Sequence, residues 1–216
     1  MIKITNGQTP LHHDLSIGEV RFMTAEHIND FKINYETNKR ILRYHHEHEL
    51  VRTQLSRGDI LITIKGKIGN AAVIEDLPEL VNINQDVALV RLNPEINPYY
   101  IAGFLNSRIG KLLVQQSSTG QINPFLSLGS LRDLLIQIFD NKRMNELGFA
   151  IKTKLDEAYI AAYQSKNLLE IAKTGVEKAI EENEEVATNW INQQLKNLEI
   201  KNSPPFLRGA GGDQPC

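Results

Sequence analysis

From Lys142 to Lys201 the chain runs sixty residues without a proline, and no other feature constrains its folding as strongly. Alanine, glutamate, leucine and lysine dominate the stretch, and these residues lose little side-chain freedom in a helix. One long helix over 142–201 is therefore predicted. Stepping three and four residues from Leu155 gives Leu155, Ala158, Ala162, Ser165, Leu169, Ala172, Val176, Ala179, Asn183, Val186, Trp190 and Gln193. Nine of these twelve are apolar, the pattern of a coiled-coil seam. The nine are candidate dimer or subunit contacts: Leu155, Ala158, Ala162, Leu169, Ala172, Val176, Ala179, Val186 and Trp190. At 1.5 Å per residue such a helix would reach roughly 90 Å, far beyond the domain that the remaining residues can build. The seam therefore needs a partner. Gly175 costs about 1 kcal/mol relative to alanine in a helix interior, so a hairpin of two halves folded there is the alternative.

Ahead of residue 141 the periodicity is different. "EVRFMT", "LSRGDILITIKGKIGNAAVI", "QDVALVRL" and "LLIQIF" read as strands, the second as a hairpin around Gly66. "NPYYIAGFLNSRIGKLLVQQ" reads as one helix with Asn97 as cap and Pro98 at its first position. In the first strand of the hairpin, Ile60, Ile62 and Ile64 alternate with Leu61, Thr63 and Lys65, which predicts one face in a core. The fold class is α+β: a mixed, twisted β-sheet domain over 1–140, then a long helix forming a coiled coil over 141–201. Three prolines and three glycines predict a disordered tail over 202–216.

With 41% hydrophobic residues in 216, the chain holds one well-cored domain and an appendage. No run approaches the roughly 18 apolar residues of a membrane span, and "MIKITNGQTP" has no apolar signal core. A cytoplasmic location is expected. The single cysteine, Cys216, leaves no internal disulfide or zinc framework. "SPPF" at 203–206 fits a short amino-methyltransferase pattern, but the glycine-rich turn and acidic residue of a cofactor site are missing. "GKIGN" is not a P-loop, and no nucleophile elbow or assignable acid–base pair is found. Neither catalysis, cofactor nor metal is expected.

Charge points elsewhere. The net charge is −2, yet residues 39–67 carry seven basic side chains against three acidic ones. Arg43, Arg57, Lys65 and Lys67 belong to that segment, and the hairpin places the two lysines together at its tip, beside Asn70. "HHEH" at 45–48 adds imidazoles, read as surface or phosphate-facing groups because His45 and His46 point apart on any regular backbone. "QQSSTGQINPFLS" at 115–127 puts Ser118, Thr119, Gln121 and Asn123 around Gly120, giving a loop rich in the amides and hydroxyls that contact base edges.

"NGQTP", "LSRGDILITIKGKIGNAAVI", "NINQDVALVRLNPEINPYYIAGFLNS" and "STGQINPFLSLGSLRDLLIQI", in that order before a long helix, resemble the specificity subunit of type I restriction-modification systems. The resemblance spans roughly residues 5–200 and looks like one target recognition domain with one spacer helix, half of the tandem arrangement of that family. It implies a half-subunit or a truncated gene product that binds double-stranded DNA without catalysis. Such a chain would direct methylation and restriction subunits to a bipartite target, here as a homodimer through its helix. A coiled-coil adaptor, or a detached recognition domain of a DNA methyltransferase, is the alternative.

Overall fold

The computed structural model describes residues 3–11, 14–77, 79–120, 122–134, 136 and 139–200. They form two compact units that divide between Lys152 and Thr153. Among the described residues no helix is long and apolar enough to cross a membrane. The tail expected to be disordered, with its "SPPF", lies outside the described residues.

The first unit is α+β. β1 (Lys3–Asn6), β9 (Val87–Arg91), β6 (Ile60–Thr63) and β7 (Ala71–Val73) form a four-stranded sheet in the order β1-β9-β6-β7, antiparallel throughout. A second sheet has the order β5-β2-β8. Here β2 (Val20–Met23) pairs antiparallel with β5 (Arg40–Ile41) and parallel with β8 (Val81–Ile83). β3 (Ile28–Asn29) and β4 (Lys32–Ile33) make a small separate ribbon.

The predicted hairpin is β6–β7, with Leu61 opposite Ala72. One expectation about it is corrected. Both faces of β6 are buried: Ile60, Ile62 and Ile64 join a core with Tyr100, Ile101 and Leu105, whereas Leu61 joins another with Met23, Ile83 and Leu89. A central strand between two apolar layers loses the polar alternation of a half-exposed one. Ile60–Thr63 are accordingly all buried.

The predicted single helix over 97–116 is two: α1 (Pro98–Asn106) and α2 (Arg108–Ser117). Asn97 does cap α1, accepting from Tyr99 N at 3.0 Å. Ser107 is extended and caps α2 through Gly110 N at 3.1 Å. A Cβ at Gly110 would stand 2.1 Å from Phe104 O, so the glycine lets α2 turn back closely on α1. Asn106, at the end of α1, bonds both backbone groups of Ala71 (3.0 and 2.7 Å) and so completes one position of the edge strand β7. α3 (Leu128–Arg132) follows. The expected last strand over 134–139 lies partly outside the described residues; Leu134, Ile136 and Phe139 pack on the core without strand pairing.

The histidine cluster is also corrected. His46 is buried within a wide helical turn over His45–Glu49, and its Nδ1 accepts from Asn82 Nδ2 at 3.1 Å. His45 pairs with Glu49 at 2.8 Å, and His48 stacks on Tyr44 with ring centroids 4.7 Å apart. His46 therefore faces no phosphate. Burial pushes its imidazole below the usual value near 6.5, because the folded state accepts it only as the neutral acceptor of Asn82. The unfolded chain thus binds more protons below pH 6.5, and stability is lost as pH falls from there. Urea midpoints measured between pH 7.5 and 5 are expected to decline below 6.5, and His46→Gln to flatten that decline; an unchanged slope in the variant removes His46 as its cause.

The second unit corrects the single-helix expectation. α4 (Asn141–Glu181) runs unbroken through Gly175, and the chain turns at Glu182–Asn183 into α5 (Glu184–Ile200). Gly175 is where the two helices touch rather than the break: a Cβ there would lie 2.6 Å from Ile191 Cδ1, so its bareness admits α5. The turn has its own cause. Asn183 Oδ1 accepts from Val186 N at 3.0 Å, and Glu184 and Glu185 occupy the positive first turn of α5.

Candidate nucleic-acid interface

Antiparallel pairing brings the C-terminal ends of β1 and β6 and the N-terminal ends of β7 and β9 to one edge of the four-stranded sheet. Four sequence-distant segments meet there. Gly7 N donates to Val87 O at 3.2 Å, and Thr9 Oγ1 to Gln85 Oε1 at 2.7 Å, joining "NGQTP" to "NINQD". Ile64 N donates to Asp86 O at 2.9 Å, joining that turn to the hairpin tip. Leu126 N donates to Ile64 O at 2.9 Å, and Lys65 bridges Phe125, joining the tip to the 119–125 loop.

The tip is held from within. Residues 64–70 connect β6 to β7, a longer link than the short turn expected. Gly66 and Gly69 take φ values of +76° and +84°, where a side chain would be strained. Thr63 Oγ1 accepts from Asn70 N at 3.0 Å and donates to Lys67 O, so one buried hydroxyl fixes both ends of the turn. Lys65 and Lys67 are exposed beyond it. Lys65 Nζ stands 3.9 Å from Asp86 Oδ1, a buried oxygen without a hydrogen-bond partner among the described residues. A cleft of about 330 Å³ opens beside the two lysines and includes Glu26, Asn29 and Asn70.

The predicted DNA-facing residues do not all gather. Lys65, Lys67, Asn70 and Thr119 share this rim, but the Asn70 amide is already used at both ends, donating to Ile28 O (3.3 Å) and accepting from Lys111 Nζ (2.8 Å). Ser118 Oγ donates to Gln115 O at 2.7 Å and finishes α2. Asn123 is exposed on the loop, and Gln121 lies outside the described residues. Arg57 is exposed at the opposite end of β6 from the tip. Arg43, beyond the edge strand β5, is engaged with Glu47 at 3.3 Å. Sequence reasoning missed Thr63, Asp86 and Phe125. Each acts through tertiary pairing, so no local pattern marks it.

Of the nine seam residues, Leu155 and Trp190 are half-buried and the other seven are exposed, Leu169 and Val176 at 59% and 61%, whereas Ala187, next to Val186 but not on the seam, is buried. Trp190 belongs to the hairpin itself, with Lys178 Nζ 5.9 Å from its ring centroid. α4 turns toward α5 a different side from Leu169 and Val176, the one carrying Gly175. The seam predicted on α4 is therefore not consumed by the fold-back.

No family model matches the sequence, and no curated protein matches it. Solved structures do. The type I restriction-modification system S subunit from M. genitalium aligns over 92% of this chain and 47% of its own, with a TM-score of 0.52 and 13% identity. A chain from a structure on complex assembly and conformational transition of the type I restriction-modification system aligns over 89% of this chain and 43% of its own, with a TM-score of 0.52 and 13% identity. The chain thus spans less than half the length of these proteins, and over that part its fold is that of a type I S subunit.

Proposed function

We propose that this chain is a DNA-recognition subunit of a type I restriction-modification system, non-catalytic, which directs methylation and restriction subunits to a bipartite target. The observation that carries the reading is the backbone ladder joining the lysine-bearing hairpin tip to the 119–125 loop. It makes one rim from the Lys65 and Lys67 cations, suited to phosphates, and from the Thr119 hydroxyl and Asn123 amide, suited to base edges. A net charge of −2 fits such local, limited phosphate binding better than indiscriminate polyanion binding. The exposed stripe on α4 is the surface for a second copy, and a twofold dimer would read two inverted copies of one half-site.

The test is selection of a target from random duplex DNA by the full chain, followed by salt titration. In Lys65→Ala/Lys67→Ala, binding is expected to weaken alike on target and random DNA. The slope of log K against log salt should fall by about 0.9 for each phosphate that the variant no longer neutralises. An unchanged affinity and slope would remove the lysines from the interface, and failure to select any sequence would refute the reading as a whole.

A further inference from the structure

We infer that Ile122 reads the 5-methyl group of a thymine in the major groove, an apolar specificity element set among the polar groups of the rim. The inference rests on the DNA-recognition reading above. Ile122 is 91% exposed, more than any other large apolar side chain among the described residues. Thr119 and Phe125 exchange reciprocal backbone hydrogen bonds of 2.9 and 2.8 Å, closing the loop at its base, and the ladder through Phe125 and Leu126 fastens it to the hairpin tip. Gly120 has φ +87°, and a Cβ there would stand 2.7 Å from Asn123 O, so Gly120 and Asn123 approach closely.

The surroundings decide what the isoleucine is for. Thr119 and Asn123 are exposed on the same loop, and so is Lys65 on the hairpin tip that the ladder joins to it. A protein-docking patch is contiguous, apolar at its centre and depleted in lysine; Ile122 and the 40% exposed Phe125 at the base of its loop, set among donors and a cation, fall short of that. On base edges in the major groove, the apolar feature is the thymine methyl, and one aliphatic side chain is enough to cover it. 5-Methylcytosine presents the same group, so the two sources need separate arms in the experiment.

The full chain and Ile122→Ala are compared by competition binding on the selected target, on random DNA, and on target duplexes in which each dT becomes dU or each dC becomes 5-methyl-dC. Removing one methyl from such an interface is worth about fourfold in affinity. At least one dT→dU change is expected to weaken the unmodified protein about fourfold and to leave Ile122→Ala unaffected. Ile122→Ala itself should lose about three- to tenfold on the target, nothing on random DNA, and nothing in thermal midpoint. An unchanged target affinity, an equal loss on random DNA, or dT→dU effects as large in the variant would overturn the inference while leaving DNA recognition intact. Coupling confined to 5-methyl-dC would overturn the thymine assignment. If the unmodified protein selects no sequence, the DNA reading falls and the inference with it.

Discussion

Asp59→Ala is expected to destabilise the first unit by about 3 kcal/mol in urea denaturation, a large effect for a single residue. Asp59 is 1% exposed and takes both Arg91 Nε and Nη2 at 2.6 Å, the side-by-side geometry that makes guanidinium–carboxylate pairs strong. It also accepts from Ser56 N at 2.7 Å, while Arg91 Nη2 reaches Gln54 O and Ser56 Oγ at 3.1 Å each. The pair locks the start of β6 to the end of β9, next to the Ile60–Val90 register. The Asp59 carboxylate holds the Arg91 guanidinium above its usual value. Removing Asp59 strands the Ser56 amide and a cation, but Arg91 is 38% exposed at its side chain and regains water, which keeps the cost at the lower end for a broken buried pair. Asp59→Asn should cost less, since it keeps an acceptor. A loss below about 1 kcal/mol for Asp59→Ala would show that the two strands do not depend on the pair.

Joint replacement of Leu169 and Val176 by glutamate should weaken self-association of the full chain about a thousandfold. A twofold dimer holds four such side chains, which even when only partly covered contribute roughly 4 kcal/mol together, and every 1.4 kcal/mol is tenfold. Both residues lie on α4 seven positions apart, within one stripe that also holds Ala172 and Ala179, all exposed. Sedimentation at micromolar concentration is expected to give a dimer for the unmodified protein and a monomer for the double variant. Helix content by circular dichroism should not change, because neither side chain supports the packing of α5 on α4. An unmodified protein that is already monomeric at that concentration would sink the homodimer and leave the stripe for a different subunit.

Local pattern was enough for much of the fold. The β6–β7 hairpin, the Asn97 cap and the helical character of the second unit follow from side-chain period, capping chemistry and proline absence, properties that act over a few residues. The break at Asn183 was also written locally, as an amide cap followed by two glutamates, but a weak glycine at 175 drew the prediction away from it. Gly175 shows why: what a glycine is for depends on what approaches it, and Ile191 comes from another helix. The same holds for His46, legible as an imidazole yet decided by Asn82, 36 positions away.

The candidate site divides in the same manner. By itself the sequence determined which chemistry was on hand, namely lysines at a hairpin tip and amides in a polar loop, because residue type and turn propensity are local. Only the tertiary structure decided that these two segments form one rim. It spent Asn70 and Ser118 on internal bonds, set Arg57 at the far end of β6, and left Ile122 uncovered. Those outcomes depend on long-range backbone pairing, above all the bridge from Lys65 to Phe125, and strand register across a long stretch of intervening chain leaves no trace in the residues it joins.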